Sequence, residues 1–362
     1  MKGDGMHRQS NIEEGRISVN FNPGLWLTAL QRPIKLYEKK DWDALDFVTK
    51  WLIATRGTVT QLTLFAGVIA GLLAWHDGYF SWLPWLVMTV GLFLAHSTEN
   101  LANDYIDFSR GIDEDNYYRA LYGIHPLVHK FWTRSDWLRW FLMAGTLATL
   151  AGVFMLFYTS FSAIVIGLFI FGALMIPFYA YPLKYWGLGE LLIYLNWGLV
   201  IIPGVYTILA GGITPNFWNV VLTGMAFGFG FGSFNFGKHI DKIQADRAKG
   251  VRSLPVRLGE RAARYFNIAT IVLPYLIILY LIFVAHFLTP VVLLVFLAGG
   301  RAWRVAKLLS RPRPTEAPEG FANWPRWFST PQLLHIRFFG GLYMLALLVD
   351  NLIRIYLPAF WR

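Results

Sequence analysis

Two short segments gather acid in a chain that is otherwise apolar: ENLANDYIDFSRGID, from Glu99 to Asp113, and GKHIDKIQADRAKG, from Gly237 to Gly250, each directly after a long apolar run. Carboxylates at the edge of an apolar run are costly to desolvate, and a cluster of them is most simply explained by a cation, so the chemistry these residues suit is divalent-metal binding. In the first segment Asn103 and Asp107 are one helical turn apart and Asp104 and Asp107 share a face, so the three can converge on one ion. Gly111 comes next on that stripe and has no side chain to offer. Asp113, beyond the helix end expected at SRGID, can fold back to the group, and Arg110 among the acids points to an anion. In the second segment Asp241 and Asp246 are five residues apart, which turns them about 140° from each other on an ideal helix. His239, Lys242 and Asp246 fall on one stripe instead. Asp246 is therefore the stronger candidate ligand, and Asp241 reaches the same ion only through a distortion or a helix end. Arg247, Lys249, Arg252 and Arg257 follow in the same loop and suit a substrate with several negative charges. For any single acid the alternative is a helix cap or a pair with a neighbouring arginine.

The elements that must position these residues are membrane helices. Of 362 residues, 56% are hydrophobic, 17% aromatic and only 15% charged, with a mean hydropathy of +0.44. That composition lies outside the range of a soluble globule. There is no cysteine, which excludes disulfides, thiolate metal sites and cysteine nucleophiles. The polar start MKGDGMHRQSNIEEGR carries no apolar stretch with a cleavage site, so no removable signal peptide is expected. Apolar runs long enough to span fall at about 57–75, 83–99, 138–158, 161–180, 188–210, 217–236, 266–285, 288–302 and 337–357. Thirty of the 32 Lys and Arg lie in or beside alternate connections, as the positive-inside bias requires. The predicted fold is all-α: a polytopic bundle of nine transmembrane helices around a central cavity, with the N-terminus cytoplasmic, the C-terminus outside and both acidic segments at the cytoplasmic face. Residues 1–50 form an extension expected to place one or two helices in the interface. Residues 51–362 form the nine-helix domain, whose long connection at 303–336 is too rich in proline for a long helix. The net charge of +10 reflects topology and contact with anionic lipid. The basic residues are spread over five connections with no recognition motif, so nucleic-acid binding is not expected, and no obligate protein partner is evident.

Metal-holding acids, basic side chains and an apolar intramembrane cavity together describe a site for a lipid diphosphate. The glycine-rich sixth run, GMAFGFGFGSFNFG, allows close helix approach or a groove for a tail. Over most of the chain from residue 51 the sequence resembles the UbiA superfamily of intramembrane prenyltransferases. NDYIDFSRGID is similar to its first aspartate-rich motif in the form found in 1,4-dihydroxy-2-naphthoate polyprenyltransferases, and DRAKGVRSLPVRLGE resembles the segment that includes and follows the second. YPLKYWGLGELLIYLNWG and KWLIATRG are similar to further segments of that subgroup. The second motif departs from the family's pair of Asp four residues apart, because Lys242 stands at the first position and Asp241 is displaced by one.

The resemblance implies a Mg²⁺-dependent transferase of the inner membrane, whose site opens to the cytoplasmic side. It would move a polyprenyl group from polyprenyl diphosphate to an aromatic acceptor, 1,4-dihydroxy-2-naphthoate in menaquinone biosynthesis. Asn103, Asp104, Asp107, Asp113, Asp241 and Asp246 would hold metal. Arg110, Lys184, Lys242 and Arg252 would bind diphosphate, and Tyr181 would face the cation or the acceptor, so that Asp104, Asp107, Asp246 and Tyr181 form the catalytic set. Other readings stay open: another acceptor (4-hydroxybenzoate, a tetrapyrrole or a lipid), a membrane carrier, or a scaffold without activity.

Overall fold

A computed structural model describes residues 21–34, 36, 38–113, 123–321 and 323–357. The start of the chain, where no signal peptide is expected, and the last five residues lie outside the described residues. Three short helices lead in: α1 (Pro23–Gln31), α2 (Lys39–Asp43) and α3 (Phe47–Ala54). The long helices are α4 (Gly57–His76), α5 (Trp82–Ser109), α6 (Arg134–Tyr158), α7 (Ala163–Ala180), α8 (Gly189–Ala210) and α9 (Phe217–Asp241). The small helices α10 (Ile243–Ala248) and α11 (Leu254–Leu258) follow, then α12 (Glu260–Phe283), α13 (Gly299–Leu309) and α14 (Ser329–Tyr356). No strand occurs among the described residues.

Seven of these, α4, α6, α7, α8, α9, α12 and α14, are long and apolar enough to cross a membrane. The two other runs read from the sequence also fall on helical segments. One lies on α5, whose last turns carry the first acidic segment. The other begins as a 3₁₀ stretch, Pro290–Ala298, and continues as α13. Seven spans are thus evident among the described residues; α5 is a continuous helix of 28 residues whose last turns are acidic, and of the two other runs only the 290–309 segment is irregular, starting as 3₁₀. Leu142, Leu150, Phe154 and Phe157 on α6 and Ile170 and Leu174 on α7 are all exposed. So continuous an apolar surface is stable only against lipid.

The glycines of α9 set how tightly the bundle closes. Within α8 the stretch Asn196–Ile201 is π-helical, and Gly198 there meets Gly224 and Gly228 of α9 backbone to backbone. A Cβ on Gly228 would lie 2.7 Å from Gly198 Cα and 2.9 Å from the Tyr194 carbonyl oxygen. Small residues permit the approach that packs helices in lipid. Beside this contact, α4 to α9 leave a cavity of about 1200 Å³, ample for a long apolar ligand.

The N-terminal helices are pinned to the bundle by polar contacts. Asp46 caps α3 by accepting from Thr49 N at 3.0 Å and also accepts from Trp26 Nε1 of α1 at 2.8 Å. Arg337 of α14 donates to the carbonyls of Gln31 at 2.6 Å and Leu30 at 3.0 Å. The connection expected at 303–336 is shorter: α13 runs to Leu309 and α14 begins at Ser329, and no helix occurs among the described residues between them, where most of its prolines lie.

Candidate active site

Each acidic segment ends in the same backbone device. After α5, Gly111 has φ +65°, its N–H donates to Phe108 O, and Ile112 N donates back to Asp107 O at 2.8 Å. After α10, Gly250 has φ +71°, its N–H donates to Arg247 O, and Val251 N donates to Asp246 O at 2.8 Å. Glycine is the residue that adopts this left-handed helix ending without strain. The apolar residues that follow, Ile112 and Val251, pack together with Tyr185 in one small buried cluster. Lys249 Nζ then donates to the carbonyls of Gly111 at 2.9 Å and Ile112 at 2.7 Å. The two acidic segments are thereby docked on each other at one end of the bundle.

The reversal at Gly111 returns Asp113 to the helix it has just left. Asp104, Asp113 and His125 are buried, and each offers a ligand atom within 4.8 Å of the others'. His125 Nε2 lies 3.3 Å from Asp113 Oδ2. The side chain of Asp104 also pairs with Arg56. Asp107, one turn along, is met from the turn between α7 and α8 (residues 181–188). There Lys184 Nζ pairs with Asp107 and donates to Asn103 Oδ1 at 3.0 Å, and Tyr185 OH donates to Asp107 Oδ1 at 3.0 Å. Burial alone would lower the pKa of Lys184, but Asp107 and Tyr185 outweigh it and hold the ammonium above its usual range. Burial, together with Asp107, pushes the Tyr185 hydroxyl up to about 12. The Arg110 guanidinium lies over the rings of Tyr181 and Tyr185, at 4.8 and 4.7 Å from their centres.

The second segment divides. Asp246 is buried, with His239 Nδ1 at 3.2 Å, Lys242 Nζ at 3.5 Å and Ser253 Oγ at 3.3 Å. Burial would raise its pKa; Lys242, His239 and Lys184 together hold it below the ordinary carboxylate range. Glu190 of α8 joins the group, with Oε1 3.6 Å from His239 Nδ1.

Asp241 is elsewhere. Its carboxylate accepts from the backbone N–H of Phe328 at 3.0 Å and of Ser329 at 3.0 Å, and from Ser329 Oγ at 2.9 Å. It therefore anchors the start of α14, where orphan helix N–H groups favour a negative charge. This corrects its expected place among the metal ligands, and the five-residue spacing is the reason, since it turns Asp241 and Asp246 to different sides. Tyr181 is 48% exposed and, although its ring meets that of Tyr185 edge to face, does not line the cavity. Arg252 is also exposed. The sequence reading missed Arg56, His125 and Glu190. An isolated His twelve residues beyond Asp113 carries no spacing signal, and Arg56 reads as one more positive charge before the first span.

The donor set fits a hard divalent cation: buried carboxylates with an amide oxygen and one imidazole within reach. Beneath it the cavity is walled by apolar side chains, with Arg56, Asn103, Lys184, Lys238 and His239 at its polar parts.

The family model for UbiA prenyltransferases matches residues 64–327, well over half of the chain. The chain belongs to the UbiA prenyltransferase family. Among its relatives, 1,4-dihydroxy-2-naphthoate octaprenyltransferase of Escherichia coli (strain K12) is 28% identical over 224 residues, 60% of this chain and 71% of the relative. UbiA prenyltransferase domain-containing protein 1 of Xenopus tropicalis is 24% identical over 200 residues, 54% of this chain and 55% of the relative. A solved structure of digeranylgeranylglyceryl phosphate synthase superposes with a TM-score of 0.51 at 15% identity, over 83% of this chain and 97% of the other, a likeness of fold alone. As a UbiA-family membrane prenyltransferase, the chain is better described by transfer chemistry than by a carrier's alternating access.

Proposed function

We propose that this UbiA-family protein transfers a polyprenyl group from polyprenyl diphosphate to 1,4-dihydroxy-2-naphthoate, with Mg²⁺ as cofactor. The observation that carries the reading is the docking of the two acidic segments over one apolar cavity, with Lys184 reaching from the cavity wall to Asn103 and Asp107. The naphthoate is favoured over other acceptors by the name of the Escherichia coli relative and by the form of the first motif.

Asp104, Asp107, Asp113 and His125, with Asn103 beside them and Asp246 on the facing segment, would hold Mg²⁺. When bound, the metal neutralises the diphosphate and stabilises the charge that grows on it as it leaves. Lys184 and Arg110 add positive charge from the protein, Lys184 from a buried position where a charge acts strongly. Lys242 and His239 orient the Asp246 carboxylate. The chain of the donor lies in the apolar cavity, and the same walls keep water from the allylic cation. The ring carbon of the acceptor attacks that cation, and CO₂ leaves from the naphthoate. The bias of Lys and Arg supports a site open to the cytoplasm, with the N-terminus on the same side and the C-terminus outside.

The test is to supply the purified protein, in lipid nanodiscs with Mg²⁺, with a polyprenyl diphosphate and a panel of aromatic acids, and to identify products by mass. Prenylation of dihydroxynaphthoate with loss of CO₂ is expected. Prenylation of a different acceptor alone removes the naphthoate, and no Mg²⁺-dependent consumption of the donor removes the reading altogether.

A further inference from the structure

Inward of the docked acidic segments the cavity presents a second, sparser set of polar groups. Glu99 lies four residues before Asn103 on the same face of α5, about 12 Å along the helix axis from Asp107 at 1.5 Å per residue. Among the described residues that line the cavity it is the single carboxylate, whereas Arg56, Lys184, Lys238 and Arg326 supply positive charge. Its Oε1 is buried and meets no hydrogen-bond partner.

Two donors in the same cavity wall are in the same condition. Asn235 of α9 is 6% exposed, and its Nδ2 finds no acceptor; nor does Trp197 Nε1 of α8. The Trp197 ring is stacked flat on Phe231, 4.2 Å between centres and 11° between planes, which fixes its direction. A buried polar atom without a partner costs about 1–3 kcal/mol, and most in native proteins have one. An acceptor and two donors left open in one apolar cavity describe a binding place for a planar molecule with hydroxyl and carbonyl-type oxygens. Glu99 stands five residues, about 7.5 Å along the axis, before Asp104, the nearest along α5 of the metal-binding acids, and besides its burial the positive charges of Arg56, Lys184 and Lys238 act on it.

We infer that Glu99 is the catalytic base for a hydroxylated aromatic acceptor seated between α5, α8 and α9, with Asn235 and Trp197 holding the acceptor's other oxygens. The inference rests on the reading of prenyl transfer to an aromatic ring and assigns the acceptor end of that same cavity. The acceptor's O–H bond breaks, its proton goes to the Glu99 carboxylate, and its electron pair enriches the ring. The carbon–oxygen bond to diphosphate breaks, the diphosphate leaving with the pair, and the ring carbon forms its bond to the first allylic carbon of the cation so released. The ring then loses a proton to the diphosphate, or CO₂ where that carbon bears a carboxylate, and the product oxygen regains its proton from Glu99.

The test compares wild type, Glu99→Gln and Glu99→Asp in nanodiscs. It reads donor affinity, the Mg²⁺ concentration for half-maximal rate, and single-turnover transfer to acceptors graded by hydroxyl acidity. Glu99→Gln is expected to match wild type in donor affinity and Mg²⁺ requirement but to transfer about 100-fold more slowly or worse, as loss of a general base does. Acceptors with more acidic hydroxyls should recover part of that rate, and Glu99→Asp should lie between. Should Glu99→Gln not fold, the same split is read on Glu99→Asp. Transfer at the wild-type rate, or a loss confined to donor or Mg²⁺ affinity, overturns the inference while leaving prenyl transfer standing. A wild type that consumes no donor with any acceptor overturns both.

Discussion

A buried carboxylate is tolerated only when its charge is answered, and the acids of this chain are answered in two ways. Asp104, Asp107 and Asp246 meet mobile-ended cations, Arg56, Lys184 and Lys242, whereas Asp241 is fixed by backbone N–H groups and a serine. In the first arrangement the partners are long cationic side chains that can shift; in the second they are fixed backbone groups. Asp104→Ala or Asp107→Ala is therefore expected to reduce Mg²⁺-dependent transfer by about 100-fold or more, in the range lost when groups that stabilise developing charge are removed. Circular dichroism should show the helical fold retained, and full turnover would take these residues out of the site. Asp241→Asn has the opposite signature: a lower melting temperature with the Mg²⁺ requirement unchanged. Had Asp241 been a ligand, the Mg²⁺ requirement would rise. Asn103, Asp104, Asp107 and Asp113 could be named from the sequence because helical spacing puts the first three on neighbouring positions and glycine marks the turn, although in the fold Asp104 groups with Asp113 and His125 while Asn103 and Asp107 meet Lys184. His125 and Arg56 arrive through tertiary folding, which leaves no periodic trace.

At the scale of elements, the two left-handed glycine turns are what join the acidic segments. A Cβ on Gly250 would meet nothing within 4 Å, so Gly250→Ala isolates the backbone cost of φ +71°, about 1–2 kcal/mol. Thermal melting should fall accordingly, and donor affinity should weaken because Asp246 and Ser253 sit on either side of that turn. Unchanged melting would show that the turn is not held in this form. The cap of α3 gives a pH signature at a distance from the site. Burial would raise the pKa of Asp46, but its bonds from Thr49 and Trp26 hold it below the ordinary 3.8. A group with a depressed folded pKa stabilises above its unfolded pKa and loses that contribution as pH falls through the folded value. The melting difference between wild type and Asp46→Ala should therefore be constant at neutral pH, about 1 kcal/mol as for other N-caps, and should shrink below pH 3.8. A difference that grows on acidification would contradict the assignment. Helix existence was plain from the apolar runs, but helix ends were not. The α5 and α9 helices run on through the polar residues that carry the chemistry, because side-chain pairs formed across the bundle satisfy those residues there.

At the scale of the molecule, the bundle is organised so that a polar, docked end closes over an apolar cavity open to lipid-facing helices. The proposed orientation rests on the bias of positive charge and is directly measurable, because a chain without cysteine can carry one introduced thiol at a time. A cysteine at Thr159 should be labelled from outside the cell and one at Arg247 only after the cytoplasmic face is opened; the reverse pattern would invert the topology. The proposed arrangement has both acidic segments gripping one metal–diphosphate. Its most direct test is the anomalous scattering of Mn²⁺ in crystals grown with a non-cleavable polyprenyl diphosphate analogue. The expected result is Mn²⁺ on Asp104 and Asp107, with the diphosphate bridging from it toward Asp246 and the Lys184 ammonium. A diphosphate bound to one segment alone, or outside the cavity mouth, would contradict it.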